Sequence, residues 1–245
     1  MRENYFGERI AKTYDSDSLD MFAPAVVGAT VDFLAALAGD GKALEFAIGT
    51  GRIAVPLHQR GVPVSGIDLS PDMVAQLRAK EGAQSIDVAI GDFTSTRVDG
   101  SFRLVYLVYN TIGNVTTQDA QVECFSNAAA HLEPGGYFVI EVGVPQLRRL
   151  PPGETTQVFT FLPNRIGFDT LDVAQQLGVS HHYWFSEGRA ETFLTPFRFV
   201  WPAELDLMAR LAGLRLRERW ADWAREPFTS ESFKHVSVWE KPVEA

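Results

Sequence analysis

An apolar segment that runs into two closely spaced glycines constrains the fold of this chain most strongly. The stretch 44–54 reads LEFAIGTGRIA, which predicts a buried strand, a glycine turn and then a helix. Gly49 and Gly51 fit the loose G-x-G-x-x-A pattern of dinucleotide binders as well as a tighter adenosine-binding pattern. The turn therefore predicts a nucleotide-like ligand without identifying it.

Strand and helix patterns alternate after this turn. The predicted strands are 44–47, 62–67, 86–90, 102–108 and 137–142. The predicted helices are 52–59, one that begins at Pro71 behind the cap Ser70, and 117–132, ended by Pro134-Gly135-Gly136. This order predicts an α/β protein with a Rossmann-like, doubly wound, mostly parallel sheet, whose ligands bind at the carboxyl ends of the strands.

The periodicity changes to two residues between 158 and 201, which predicts an antiparallel lid inserted between strands five and six. A helix opened by Pro202, with Leu205, Met208 and Leu211 on its apolar face, and strands at 214–220 and 235–241 then return to the sheet. In the first of these strands Leu214, Leu216 and Trp220 alternate with arginines, which predicts a half-exposed strand at the sheet edge. We expect residues 1–42 to form a helical segment that closes over the cofactor. Residues 43–144 and 202–245 are expected to form the core, and 145–201 an antiparallel substrate lid.

The composition limits the classes of partner. A net charge of -9 and a pI near 5.1 disfavour nucleic acid and anionic membranes, which are held by clustered Lys and Arg. The only cysteine, Cys124, falls in a helical pattern and predicts packing, and a chain with a single cysteine suits a reducing cytoplasm. The opening MRENYFGERI has no apolar signal-like run. We expect a cytoplasmic protein, monomeric or homodimeric through an exposed edge strand.

Acidic and aromatic-polar residues follow successive predicted strands. Glu45 lies inside strand one, Asp68 ends strand two, Asp92 and Phe93 follow strand three, and Tyr109-Asn110 follows strand four. With the glycine turn, this set resembles class I S-adenosylmethionine-dependent methyltransferases over about residues 5–144. One departure is Ala47, which stands at the family's usual first glycine.

The resemblance implies a role for each position. The glycine turn passes close to the methionine part of S-adenosylmethionine, Asp68 accepts hydrogen bonds from the ribose hydroxyls, and Asp92 with Phe93 faces the adenine. Glu45 is expected to order amides of the loop. The expected cofactor-binding residues are Tyr14, Glu45, Ala47, Gly49, Gly51, Asp68, Leu69, Met73, Asp92, Phe93 and Tyr109.

The opening NYFGERIAKTYD is similar to the N-terminal segment of small-molecule methyltransferases, including the amino-sugar N-methyltransferases. In those enzymes the segment folds over the cofactor. Tyr5 and Tyr14 are therefore expected either to close the site or to pack this segment onto the sheet.

The expected catalytic residues are Tyr109, Asn110, His181 and His182. Adjacent residues of a strand point to opposite faces, so at most one of the two histidines enters the cavity. Glu141 is a further general-base candidate. Arg198 either binds an acidic substrate group or is exposed, and no spacing of His, Asp or Glu predicts a metal site.

The resulting prediction is methyl transfer from S-adenosylmethionine to an N or O atom of a small molecule, by in-line displacement that leaves S-adenosylhomocysteine. Two alternatives stay open. The G-x-G-x-x-A pattern with Asp68 also fits an NAD(P)-dependent oxidoreductase. A non-catalytic cofactor-binding protein would keep the same groups at the strand ends.

Overall fold

The computed structural model describes residues 4–17, 19–186 and 188–243, which form two β-sheets and six α-helices. The larger sheet contains β1 (Ala43–Phe46), β2 (Val64–Asp68), β3 (Asp87–Ile90), β4 (Phe102–Leu107), β5 (Leu132–Gly143), β10 (Arg215–Trp220) and β11 (Lys234–Glu240). The smaller sheet contains β6 (Thr156–Leu162), β7 (Arg165–Asp172), β8 (Leu177–Ser186) and β9 (Arg189–Arg198). The helices are α1 (Glu8–Asp17), α2 (Pro24–Ala38), α3 (Ala54–Gln59), α4 (Pro71–Arg78), α5 (Gln118–His131) and α6 (Pro202–Leu211). Residues 1–3, 18, 187, 244 and 245 of the expected segments lie outside the described residues.

The strand order of the larger sheet is β10-β11-β5-β4-β1-β2-β3. Strands β1 to β5 pair in parallel, whereas β11 and β10 are antiparallel additions at one edge. The order reverses between β1 and β4, so a crevice opens at their carboxyl ends. This confirms the predicted Rossmann-like fold, and the smaller sheet is the expected antiparallel insertion between β5 and the last two strands.

Helices cover both faces of the larger sheet and bury two apolar clusters. On one face, the Phe125 ring packs edge-on against Phe138 and Trp239, with centroids 5.1 and 5.2 Å apart. Cys124 is buried in this cluster, as a packing residue should be. The strands are therefore held rigidly, which fixes the positions of the residues at their carboxyl ends.

Three details of the expected elements were wrong. Strand β5 begins at Leu132 directly after α5, because its pairing with β4 starts there and then skips to Tyr137, leaving the Pro-Gly-Gly segment as a bulge. Leu211 is 74% exposed because it is the last residue of α6 and lies off the buried stripe. Leu216 is 45% exposed because a register shift in β10 interrupts the alternation.

Arg198 is also placed differently from either expectation. Its side chain is only 5% exposed and donates hydrogen bonds to Glu204, to Gln121 (2.6 Å) and to Gln176 (3.2 Å). These contacts tie the end of β9 to α5 and α6. The guanidinium therefore joins the smaller sheet to helices α5 and α6, and its hydrogen bonds are all made to internal partners.

The N-terminal segment crosses the carboxyl edge of the larger sheet. The Ser70 hydroxyl donates to the carbonyl of Phe6, and the Thr50 hydroxyl donates to Asp15 Oδ1 at 2.6 Å. An ion pair of 2.6 Å joins Asp15 to Lys80. Among the described residues, no helix is both long and apolar enough to cross a bilayer.

Candidate active site

The turn after β1 depends on three residues in the left-handed backbone region. Ala47, Gly49 and Gly51 have φ values of 54°, 57° and 78°. A Cβ on Gly51 would also approach Val55 Cγ2 to 2.9 Å, so this glycine is required both by its conformation and by close packing. Ala47 adopts a conformation that is unfavourable for any residue with a Cβ. The turn after β1 therefore has an unusual backbone conformation at the edge of the crevice.

Asp68 joins this turn to the end of β2. Its Oδ2 accepts a hydrogen bond from the amide of Gly49 at 2.7 Å, and its Oδ1 accepts one from the amide of Ser70 at 2.8 Å. Burial raises the pKa of Asp68 above its ordinary value, although both amides oppose the shift. A carboxylate offers about four acceptor positions, so two amide donors leave capacity for two ligand hydroxyls.

A cavity of about 430 Å³ opens beside these residues at the carboxyl ends of β1 to β3. Its lining includes Tyr5, Phe6, Tyr14, Ala47, Gly49, Asp68, Leu69, Met73, Asp92, Phe93, Thr111 and Asn114. At one wall, Asp92 Oδ1 accepts hydrogen bonds from the Thr94 amide (2.9 Å) and hydroxyl (2.8 Å). The structure therefore brings eight of the eleven expected cofactor residues to one cavity, together with Tyr5.

Glu45 and Gly51 lie behind the wall of this cavity. Glu45 is 3% exposed, accepts a hydrogen bond of 3.0 Å from the Tyr106 hydroxyl and accepts another from the amide of Ala54. Burial raises the pKa of Glu45 to about 8, against the lowering by its hydrogen bonds and by Arg52. Because Ala54 is the first residue of α3, this hydrogen bond fixes the start of that helix. The expected ordering of loop amides by Glu45 stays a prediction.

Tyr109 and Asn110 both adopt left-handed conformations, with φ of 56° and 59°. The Tyr109 amide donates to Glu141 Oε2 at 3.2 Å, and Asn110 Oδ1 accepts from the Gly143 amide at 2.6 Å. Glu141 Oε1 is also paired with Lys234 Nζ at 2.9 Å. Both oxygens of this carboxylate therefore have partners, and one of them fixes the backbone at Tyr109. Tyr109 and Asn110 line a second cavity and do not line the first.

This second cavity has a volume of about 590 Å³ and lies between the two sheets. It shares four lining residues with the first cavity: Phe6, Tyr14, Thr111 and Asn114. Burial raises the pKa of Tyr14 to about 12, so its hydroxyl is neutral at physiological pH. The two cavities therefore meet at residues from the N-terminal segment and from the short 3₁₀ helix Thr111–Asn114.

The two histidines lie on opposite faces of β8. His182 lines the second cavity, stacks on Trp184 with ring centroids 5.6 Å apart, and has a buried Nδ1 with no hydrogen-bond partner among the described residues. Burial, Arg165 and His181 lower the pKa of His182. His181 instead stacks on Phe168 at 4.6 Å, outside the cavity. Only His182 can reach a ligand there.

Several lining residues had not been singled out from the sequence. Thr111 follows Tyr109-Asn110 directly, and the strand-end position of that pair was the signal that could have found it. Asp169 lies at an inward position of β7, where alternation alone does not identify which face is inward. In the described chain, no group of three His, Cys, Asp or Glu side chains is arranged to hold a metal ion.

Comparisons with known proteins agree with this arrangement. Residues 43–136 match the methyltransferase-domain family. The structure is similar to that of the CcbJ methyltransferase from Streptomyces caelestis, with a TM-score of 0.89 and 34% identity over 99% of this chain and 100% of that one.

Two curated proteins are similar in sequence. The cypemycin N-terminal methyltransferase of a Streptomyces species is 28% identical over 207 residues, covering 82% of this chain and 84% of that protein. A dTDP-3-amino-3,4,6-trideoxy-alpha-D-glucopyranose N,N-dimethyltransferase from Streptomyces venezuelae is 28% identical over 98 residues, 40% of each chain. The fold, the residues at the strand ends and the relatives all agree with a methyltransferase, so the nicotinamide-dependent and non-catalytic alternatives are set aside. The chain belongs to the S-adenosylmethionine-dependent methyltransferases.

Proposed function

We propose that this enzyme transfers the methyl group of S-adenosylmethionine to an amine nitrogen of a small molecule. The observation that carries this proposal is the meeting of two cavities at Phe6, Tyr14, Thr111 and Asn114. The first cavity has the strand-end residues that suit a nucleoside. The second has a volume of about 590 Å³, which suits a small molecule.

The lining of the first cavity supports this proposal. Asp68 would accept hydrogen bonds from the two ribose hydroxyls, Asp92 and Phe93 would hold the adenine, and the backbone at Gly49 would lie against the methionine part. The bound sulfonium supplies an already activated methyl group. The chain needs no nucleophile of its own, and its task is to align the acceptor and exclude water.

The second cavity would hold the methyl acceptor and is called the acceptor cavity below. Residues 145–201 would form its roof. The neutral Tyr14 hydroxyl lies where the cavities meet and can orient the acceptor nitrogen. An alkylammonium must lose a proton before its lone pair can attack. His182 lines this cavity, and its lowered pKa keeps the ring in the neutral form, which would accept that proton.

The names of two relatives favour nitrogen over oxygen. One acts at the N-terminus of cypemycin and the other is an N,N-dimethyltransferase of an amino sugar nucleotide. The first of these acceptors is a peptide, so peptide and small-molecule acceptors need to be tested side by side. We favour the small molecule because residues of both the N-terminal segment and the smaller sheet line the second cavity and limit its volume to about 590 Å³.

Transfer of a carbon-13 methyl group tests the proposal. The protein is incubated with labelled S-adenosylmethionine and three acceptor pools: small amines, matched small alcohols, and peptides with free N-termini. We expect labelled N-methyl carbon only in the amine pool, with S-adenosylhomocysteine formed in equal amount. Label in the alcohol pool would show that the acceptor atom is oxygen and not nitrogen. Label only in the peptides would show that the acceptor is not a small molecule.

A further inference from the structure

A polar row crosses the inner face of the smaller sheet. Gln157 of β6 pairs in register with Asp169 of β7, Asp169 with Ser180 of β8, and Ser180 with Thr195 of β9. All four side chains line the acceptor cavity. Four polar residues at one register position, one on each strand, form a continuous strip of hydrogen-bonding groups.

Aromatic rings border this row on both sides. A Cβ on Gly167 would approach the Phe159 ring to 2.2 Å, and a Cβ on Gly178 would approach the Phe197 ring to 2.5 Å. The two rings therefore lie across glycines, close to the sheet, where any larger residue would displace them. The sheet presents a polar strip between two flat apolar surfaces, which suits a ligand with apolar faces and polar edges.

Asp169 is the only carboxylate that lines this cavity among the described residues. Its Oδ1 accepts a hydrogen bond from the Ser180 hydroxyl, and its side chain is half-buried. The basic residues of the same cavity have other contacts: Arg198 pairs with Glu204, and the Arg165 guanidinium lies 5.4 Å from the Trp184 ring centroid. Asp169 is thus available to accept hydrogen bonds from a ligand.

The row begins beside the point where the cavities meet. Thr195 lies on β9 between Phe193, whose ring is 6.1 Å from that of Phe6, and Phe197, which is close to Gly113. Neighbouring strands are about 4.8 Å apart, so Asp169, two strands away, lies roughly 10 Å from Thr195. Asp169 is therefore too far from the junction to act on the methylated atom.

We propose that Asp169 is a specificity-determining residue, which binds a hydrogen-bond donor of the acceptor at a position remote from the methylated nitrogen. This inference rests on the proposed function and adds a requirement to it. The acceptor is an amine with a second donor, a hydroxyl or an ammonium, about two strand spacings along the molecule. Gln157, Ser180 and Thr195 offer further hydrogen bonds along the same strip.

Three probes of one skeleton test this requirement: hexylamine, aminohexanol with its hydroxyl at the far end, and hexamethylenediamine. Each is titrated calorimetrically into the protein saturated with S-adenosylhomocysteine. Because hydrogen bonds to a charged group are the stronger ones, we expect a probe with a distal donor to bind about tenfold more tightly than hexylamine. That preference should fall to within about twofold in Asp169→Ala.

Two further variants identify the donor and control for general effects. Asp169→Asn keeps an acceptor oxygen and loses the charge, so it should retain a preference for the hydroxyl and lose one for the ammonium. Asp172→Asn makes the same change at an exposed position of the same hairpin, where Oδ1 accepts from the Gln175 amide at 3.0 Å. This control should leave the preference unchanged.

Equal binding of the three probes, no binding of any, or a preference that survives Asp169→Ala would overturn the role of Asp169. The preceding titration with S-adenosylhomocysteine separates this failure from a failure of the proposed function. Unchanged affinity for that product in Asp169→Ala shows that the variant is folded. If the unaltered protein did not bind S-adenosylhomocysteine, the proposed function itself would be contradicted.

Discussion

The amide nitrogen of Gly49 lies 2.7 Å from Oδ2 of Asp68. This hydrogen bond joins the glycine turn after β1 to the end of β2, and both lie at the edge of the first cavity. One carboxylate therefore has two tasks: it fixes the backbone of the turn and it faces the place proposed for the ribose. Changes at Asp68 should affect cofactor binding more than they affect the rest of the fold.

Asp68→Ala should weaken S-adenosylmethionine binding by about 10- to 100-fold, because charge-assisted hydrogen bonds to the ribose and the bond to the turn are both lost. Calorimetric titration measures the change. Asp99→Ala, at an exposed loop carboxylate, is the control and should bind as the unaltered protein does. An Asp68→Ala affinity within about twofold of the unaltered value would exclude this role.

His182→Gln should lower kcat by about 10- to 100-fold at neutral pH, because the variant lacks the group that accepts the acceptor's proton. His181→Gln is the matched control on the other face of β8 and should stay within about threefold. The pKa of His182 is lowered from 6.5, so the base form persists below that pH, and activity should fall only as pH drops through the lowered value. Equal losses in both variants would contradict the assignment.

Ala47→Gly should stabilise the protein by about 1 kcal/mol, because it removes a Cβ from a residue with φ of 54°. Chemical denaturation measures the free energy of unfolding. Ala36→Gly, at an exposed position inside α2, should destabilise by about 1 kcal/mol instead. The opposite signs are the test, and destabilisation by both substitutions would show that the turn does not require the left-handed conformation at Ala47.

Glu45 should make stability fall as pH rises. Its pKa is about 8 in the folded protein and 4.5 ordinarily, so between these values the folded state holds a proton that the unfolded state has released. The contribution of Glu45 to the free energy of unfolding is therefore fully present below pH 4.5. It decreases between pH 4.5 and pH 8, by an amount on the order of a few kcal/mol. Unfolding measured at both ends of this range should show a smaller decrease in Glu45→Gln. An unchanged slope would mean that Glu45 is ionised in the folded state.

The larger sheet could be predicted from the sequence because its parallel strands are mostly apolar runs with a glycine or a polar residue at their end or within the next three positions. Asp68, Asp92 and Tyr109-Asn110 could be placed on the same edge because parallel strands put their carboxyl ends together. The bulge at the start of β5 could not, since proline and glycines mark helix ends as readily as they mark bulges.

The acceptor cavity was less predictable for a different reason. Alternation showed that His181 and His182 face opposite ways, yet only packing against the larger sheet decides which face is inward. The register between β6, β7, β8 and β9 places Gln157, Asp169, Ser180 and Thr195 in one row, and these residues are far apart in the sequence. The internal contacts of Arg198 could not be predicted because its partners Gln121 and Glu204 belong to two separate helices.

A single-turnover experiment tests the central claim most directly. The protein, loaded with one equivalent of carbon-13-methyl S-adenosylmethionine, is mixed with an excess of the small-amine pool, and products are followed by mass spectrometry. The account predicts that one methylated small amine appears in step with S-adenosylhomocysteine and in equal amount. Formation of S-adenosylhomocysteine with the label on protein, peptide or water, or retention of all label on the donor, would contradict it.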